Sequence, residues 1–267
     1  MKKIAFSLSV LAASLSAQAE LTELADFDLT NVSGQAGVDI ILDVALDIGS
    51  VQYVDTDTGG GLRIEDIHIG GGEGRTSLLG FSSPGNTSRI DNFKFAIDVL
   101  ANGQMRIQGA PVAGAGLGVV DFEISTGAIS TTAAGGAPAA TIVDSINMYG
   151  GATGLGIIVN NDNSVYLTTT VGIEDLDIDM TSSLSTRIKD AFIADSDFIG
   201  NPFPQVENYT AQFTFLLDAQ PDGINIDFVN AKFDMGIGMV EIGDGQIGSL
   251  LLDDVNLNGV SLHIAGH

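Results

Sequence analysis

The chain has no cysteine and no tryptophan, and only six prolines and four tyrosines among its 267 residues. Without cysteine no disulfide can staple the fold, and no thiol nucleophile exists. Without tryptophan, and with so few tyrosines, the aromatic girdles of a transmembrane β-barrel can scarcely be built. Basic residues are scarce too, with ten Lys and Arg against 34 Asp and Glu for a formal net charge of −24. Phosphate binding rests on clustered Lys and Arg, so nucleic acid is not an expected partner. Beyond the first residues no stretch stays apolar and uncharged for the roughly 20 positions that a membrane-spanning helix needs, so none is expected in the mature chain.

The first 19 residues read as a secretory signal. Lys2 and Lys3 precede an apolar run from Ile4 to Leu15, and Ala17-Gln18-Ala19 is a small-x-small cleavage site. The run is too short for a membrane anchor, and acidic Glu20 and Glu23 follow it directly. The expected destination is the periplasm, the outer-membrane surface or the extracellular space. Cleavage removes two of the ten basic residues and none of the 34 acids, leaving a mature chain of charge −26. Such a surface keeps an exported protein soluble and attracts cations.

What the chain has in quantity is glycine, 34 residues of it, with many Asn-Gly, Asp-Gly and Gly-Gly steps, and 45% hydrophobic residues. That composition predicts many turns joining short extended segments around one core. From Val38 the run VDIILDVALDI alternates Val38, Ile40, Leu42, Val44, Leu46 and Ile48 with Asp39, Asp43 and Asp47, which predicts one half-buried strand to Ile48. Phe93 to Val99 returns through Asn102-Gly103 to Met105 and Ile107. Leu155 to Val159 returns through 160–163 to Val165 and Leu167, and Phe213 to Leu217 returns through Pro221-Asp222-Gly223 to Ile224 and Phe228. Turns this short make hairpins, not parallel crossovers.

A degenerate motif, apolar-x-(Asp/Asn/Ser)-apolar-x-apolar, recurs at 64, 90, 119, 143, 173, 228 and 252. Its first two apolar positions are three apart, which breaks the two-residue period and predicts a bulge or corner in each copy. The expected architecture is one all-β domain over 38–267, an elongated antiparallel β-sandwich of successive hairpins, after an N-terminal segment at 20–37. A β-solenoid of about 27-residue units is the alternative. Two short helices are expected, one at 26–33 and one at 183–194, where Leu184, Ile188, Ala191 and Phe192 stand at helical spacing. The small-residue stretch around Pro138 predicts a loop.

A search for chemistry finds little. There is no G-x-S-x-G elbow and no H-E-x-x-H zinc pair. His68 and His263 alternate with inward-facing apolar residues and so fall on polar strand faces, while His267 ends the chain. With 34 acids some carboxylate pair of the kind a glycosidase uses is inevitable, so its presence discriminates nothing. The one patterned signal is acidic: Asp55-Thr56-Asp57-Thr58-Gly59-Gly60 resembles the opening of an EF-hand loop, with Asp66 at its twelfth position. Asp55, Asp57 and Asp66 are therefore the candidate metal ligands, for calcium, and no other cofactor is expected.

Leu21, Leu24, Asp26, Leu29, Val32, Gly34, Gln35 and Gly37 fit the pattern Leu-x-x-Leu-x-Asp-x-x-Leu-x-x-Val-x-Gly-Gln-x-Gly. In this the chain resembles an exported gammaproteobacterial family labelled as the pilus-system protein FilA. The resemblance implies a pilus-like or adhesive assembly and brings no catalytic residues. The expected role is thus a non-catalytic surface or structural protein, whose partners are other surface or pilus-assembly proteins and copies of itself. A secreted calcium-assisted glycan-binding module and an exported hydrolase using paired carboxylates are the alternatives.

Overall fold

The computed structural model describes residues 37–75, 87–112 and 118–265. The expected signal at 1–19 and helix at 26–33 lie outside these residues. Gly37–His267 is one compact unit. Its strands, in chain order, are β1 (Val38–Val44), β2 (Leu46–Val54), β3 (Gly61–Gly70), β4 (Ile90–Val99), β5 (Met105–Pro111), β6 (Val120–Thr126), β7 (Ile129–Thr132), β8 (Pro138–Val143), β9 (Ser145–Val159), β10 (Val165–Met180), β11 (Thr186–Ala194), β12 (Ala211–Gln220), β13 (Gly223–Ile242), β14 (Gly245–Asn256) and β15 (Ser261–Ala265). One helical turn, α1 (Thr181–Leu184), and a 3-10 turn at Val206–Tyr209 complete the described elements. The fold is all-β, and the ladders that link its strands are antiparallel. Hairpins make this arrangement; the stacked coils of a solenoid do not.

All fifteen strands belong to one sheet. Three long strands run through two halves of it and change partners midway. In half A the order is β1, β4, β5, β9, β10, β12, β13, β15. In half B it is β2, β3, β6, β9, β10, β11, β13, β14, with β7 and β8 continuing beside the far end of β3. The all-β architecture expected from the sequence is therefore realised in one continuous antiparallel sheet. Where the halves meet, Leu42, Phe93 and Phe95 of half A and Phe122, Ile124 and Met148 of half B line one apolar cavity of about 330 Å³.

The copies of the recurring motif at 90, 173, 228 and 252 fall where strands shift register. Asn92 and Asp254 take left-handed backbone, φ 57° each, and the ladders slip by one residue beside them. Further slips follow Ile173 in β10 and separate Asn230 from Phe228 in β13. Asp66, φ 48°, stands where β3 changes partner from β7 to β6. An extra residue at each site keeps both flanking apolar side chains on one face, which is what the three-residue spacing encodes.

Three expectations fail. The predicted strand from Val38 to Ile48 is divided at Ala45 into β1 and β2, and it is an edge whose Val38, Ile40 and Leu46 are 56%, 43% and 44% exposed. The predicted helix at 183–194 is β11. Its Ile188 and Ala191 pair with Val240 and Ile237 while Asp190, φ 54°, bulges out between them. That bulge puts residues three apart on one face, which mimics helical spacing. Only α1 is helical there, and Ser185 in left-handed backbone ends it. The stretch from Pro138, expected to be a loop, is β8.

Candidate functional site

Register links apolar side chains into continuous rows. In half B one row crosses all eight strands: Leu46, Ile69, Ile124, Met148, Leu176, Ala191, Ile237, Leu250. In half A another joins Val99, Met105, Val159, Val165, Leu217, Ile226 and Leu262. The opposite face of half A reads Asp39, Ala96, Gln108, Gly156, Thr168, Thr214, Asn230. Alternation at period two thus produces one apolar and one polar face.

The apolar face is only partly covered. Phe93 is buried, but the ends of the rows are open, with Leu46 44%, Leu250 46% and Leu262 49% exposed. Among the described residues, β1 pairs only with β4, β2 only with β3, and β14 and β15 only with β13. Both margins of the sheet therefore present unpaired backbone N–H and C=O groups beside exposed apolar side chains. A margin of that kind is a template for another strand.

The polar face carries two pinned segments. Asp121 and Asp234 are fully buried. Oδ2 of Asp121 accepts the Gly72 N–H at 3.1 Å. Asp234 accepts the Ile199 N–H at 2.7 Å and the Asp254 N–H at 2.9 Å. Beyond Gly72, Arg75 donates to Glu123 at 2.9 Å and to Asp175 at 3.0 Å, and its guanidinium lies 5.4 Å from the Tyr149 ring centre. A Cβ at Gly72 would come within 2.1 Å of that ring, so only glycine lets the segment lie so close. The Glu123 hydrogen bond holds Arg75 in its charged form, and burial pushes the Tyr149 phenol up. Burial also raises Asp175, with Asp177 adding repulsion and Arg75 opposing both. Glu123 and Asp175 are the kind of carboxylate pair a hydrolase would need, and the guanidinium donates to one oxygen of each, while the buried Oδ1 of Asp175 has no hydrogen-bond partner among the described residues.

The candidate calcium ligands are not gathered. Asp55 and Asp57 lie in the β2–β3 turn, where Oδ1 of Asp55 accepts the Asp57 N–H, the Thr58 N–H and the Thr58 hydroxyl at 2.8–3.0 Å. These bonds hold the Asp55 carboxyl below its ordinary range. Asp66 is past the turn, within β3 and beside Gly127. The group of carboxylates that does converge is Asp175 and Asp177 of β10 with Asp190 of β11. Sequence spacing could not announce it, because the β10–β11 ladder brings the residues together. Oδ1 of Asp177 accepts the Asp190 N–H at 3.0 Å. His68 lies 2.6 Å from Asp47, and His263 lies 2.7 Å from Asn225, so both sit on the polar face as expected. His267 lies outside the described residues.

Residues 1–101 match the model of a family of unknown function, DUF6160. No curated protein matches the chain, and no solved structure matches it. No helix among the described residues is long and apolar enough to cross a membrane.

Proposed function

We propose that the chain is a non-catalytic structural subunit of an assembly outside the cytoplasm. The observation that carries this reading is the sheet with two open margins, at which rows of apolar side chains end exposed on both sides of the molecule's own strand order. Burying such a face is the main source of free energy in association, and the unpaired backbone supplies direction and register. The signal at 1–19 supports the location, and the resemblance at 21–37 to a pilus-system family supports the kind of assembly. The acidic clusters carry less weight, since Arg75 and backbone N–H groups engage one oxygen each of Asp175, Asp177 and Asp55.

Cell fractionation with surface proteolysis, together with the mass of the purified mature chain in solution, tests the reading. The expected result is an envelope-associated, protease-accessible species and concentration-dependent multimers. Recovery only as a free periplasmic monomer overturns it.

A further inference from the structure

We infer that β14 of one copy pairs antiparallel with β2 of the next, so that copies extend one sheet head to tail. This inference rests on the structural-subunit reading and names its partner, a second copy of this chain.

Strand direction makes the join possible. In half B seven antiparallel ladders separate β2 from β14, so the two margins run in opposite senses. A copy translated across the sheet therefore sets its β2 antiparallel to the β14 before it. The face is preserved as well. The apolar row of half B begins at Leu46 and ends at Leu250, both on one face and both exposed, so Leu250 of one copy beside Leu46 of the next continues the row without interruption.

Charge selects this pair of strands. Edge strands are commonly guarded by charged side chains that prevent pairing. In a chain of net charge −24 the facing stretches are sparsely charged: residues 245–252 of β14 read GQIGSLLL, with Asp253 and Asp254 only towards its end, and 46–54 read LDIGSVQYV, with Asp47 alone. Asp47 lies against His68. Both strands carry the sequence Ile-Gly-Ser followed by an aliphatic residue, at 48–51 and 247–250, so neither presents bulk or charge at its middle. Lengths also correspond, nine residues in β2 and twelve in β14. At the margin of half A, β15 spans only five residues, and β1 carries Asp39 paired with Lys94 and Asp43 paired with Arg89. The join is thus confined to half B, and being heterologous it gives rings or filaments, not closed twofold dimers.

The absence of cysteine permits a direct test. Mature chains carrying Ser50→Cys on β2 or Gln246→Cys on β14, positions that face each other when Leu46 stands beside Leu250, are purified singly and treated with a short bifunctional thiol reagent. The expected result is a cross-linked dimer from the mixture of the two variants, little product from either alone, and a ladder of multimers from the double variant. Leu250→Lys in the double variant should abolish the ladder, and circular dichroism identifies any loss that comes from unfolding. Homotypic dimers from a single variant, or multimers that the mixture does not cross-link, overturn the head-to-tail join while leaving the structural-subunit reading in place. An internal cross-link within the double variant also overturns it, since the sheet would then close on itself. A chain that stays monomeric at every concentration overturns both.

Discussion

The middle of the sheet and its margins are built from the same alternation, and they differ in what lies against them. Strands β9, β10 and β13 each have neighbours on both sides along their whole length, and Ala211, Ala231, Asp121 and Asp234 around them are fully buried. Strands β2 and β14 carry the same apolar row yet remain exposed on both faces. A period of two therefore reports which face is apolar and says nothing of whether that face is covered. Coverage is a property of the neighbours, and at the margins no neighbouring strand stands among the described residues.

The comparison is sharpest where an acid is removed from each region. Asp234→Ala takes the acceptor from two backbone donors in a fully buried site, and the N–H groups of Ile199 and Asp254 are left without it. We expect a loss of about 3–5 kcal/mol. Asp253→Ala on the exposed β14 should change stability by less than about 0.5 kcal/mol. Urea unfolding of the two variants measures both, and equal losses would mean that the burial contrast has no energetic weight.

Apolar truncations repeat the test without charge. Phe93 is 6% exposed and stacks edge-on against Phe95 with ring centres 5.3 Å apart. Phe93→Ala should cost about 3–4 kcal/mol in transfer and cavity terms. Leu251 is 62% exposed, and Leu251→Ala should be close to neutral in a monomer. Thermal melts at low protein concentration separate the two. A smaller loss is expected of Gly236→Ala in β13, where the new Cβ would fall 2.1 Å from the Phe192 ring. The ring and the Phe198 side chain packed against it must shift, at a cost of about 1–3 kcal/mol. An unchanged melting temperature would show that this aromatic cluster is loosely held.

How much of this was legible in the sequence depends on the range of the interaction. The hairpins from Phe93 to Ile107, Leu155 to Leu167 and Phe213 to Phe228 are local, and each forms where the turn residues predict it. The bulges at Asn92 and Asp254 were legible too, through apolar residues three apart. The same spacing misled at Ile188 and Ala191, because a bulge and a helix both bring such residues to one face. Nothing local shows that the strand begun at Val38 would be an edge, since that follows from the whole order of pairing. Asp234 reads as one more solvated acid in an alternating strand until the segment around Ile199 folds over it. The convergence of Asp175, Asp177 and Asp190 likewise depends on the β10–β11 ladder.

The last comparison is between two acids of one strand that pH moves in opposite senses. Asp175 and Asp179 lie four residues apart on β10 and are shifted in opposite directions. Burial raises Asp175, whereas hydrogen bonds from Thr181 and then Arg187 lower Asp179. A raised carboxyl binds its proton more tightly in the folded state. Its contribution is present below the unfolded value and is lost as pH rises through the folded one. For Asp179 the sign reverses, so its contribution is present above the unfolded value and is lost as pH falls through the folded one. Acidifying from neutrality therefore gains at the first residue and loses at the second, so the two act in opposition. Carbon-detected NMR titration of the mature chain should place Asp175 above the ordinary carboxylate midpoint and Asp179 below it. Thr181→Ala should move Asp179 back towards the ordinary value and leave Asp175 where it is. If both carboxyls titrate together at the ordinary value, neither the burial of Asp175 nor the hydrogen bonds to Asp179 persist in solution.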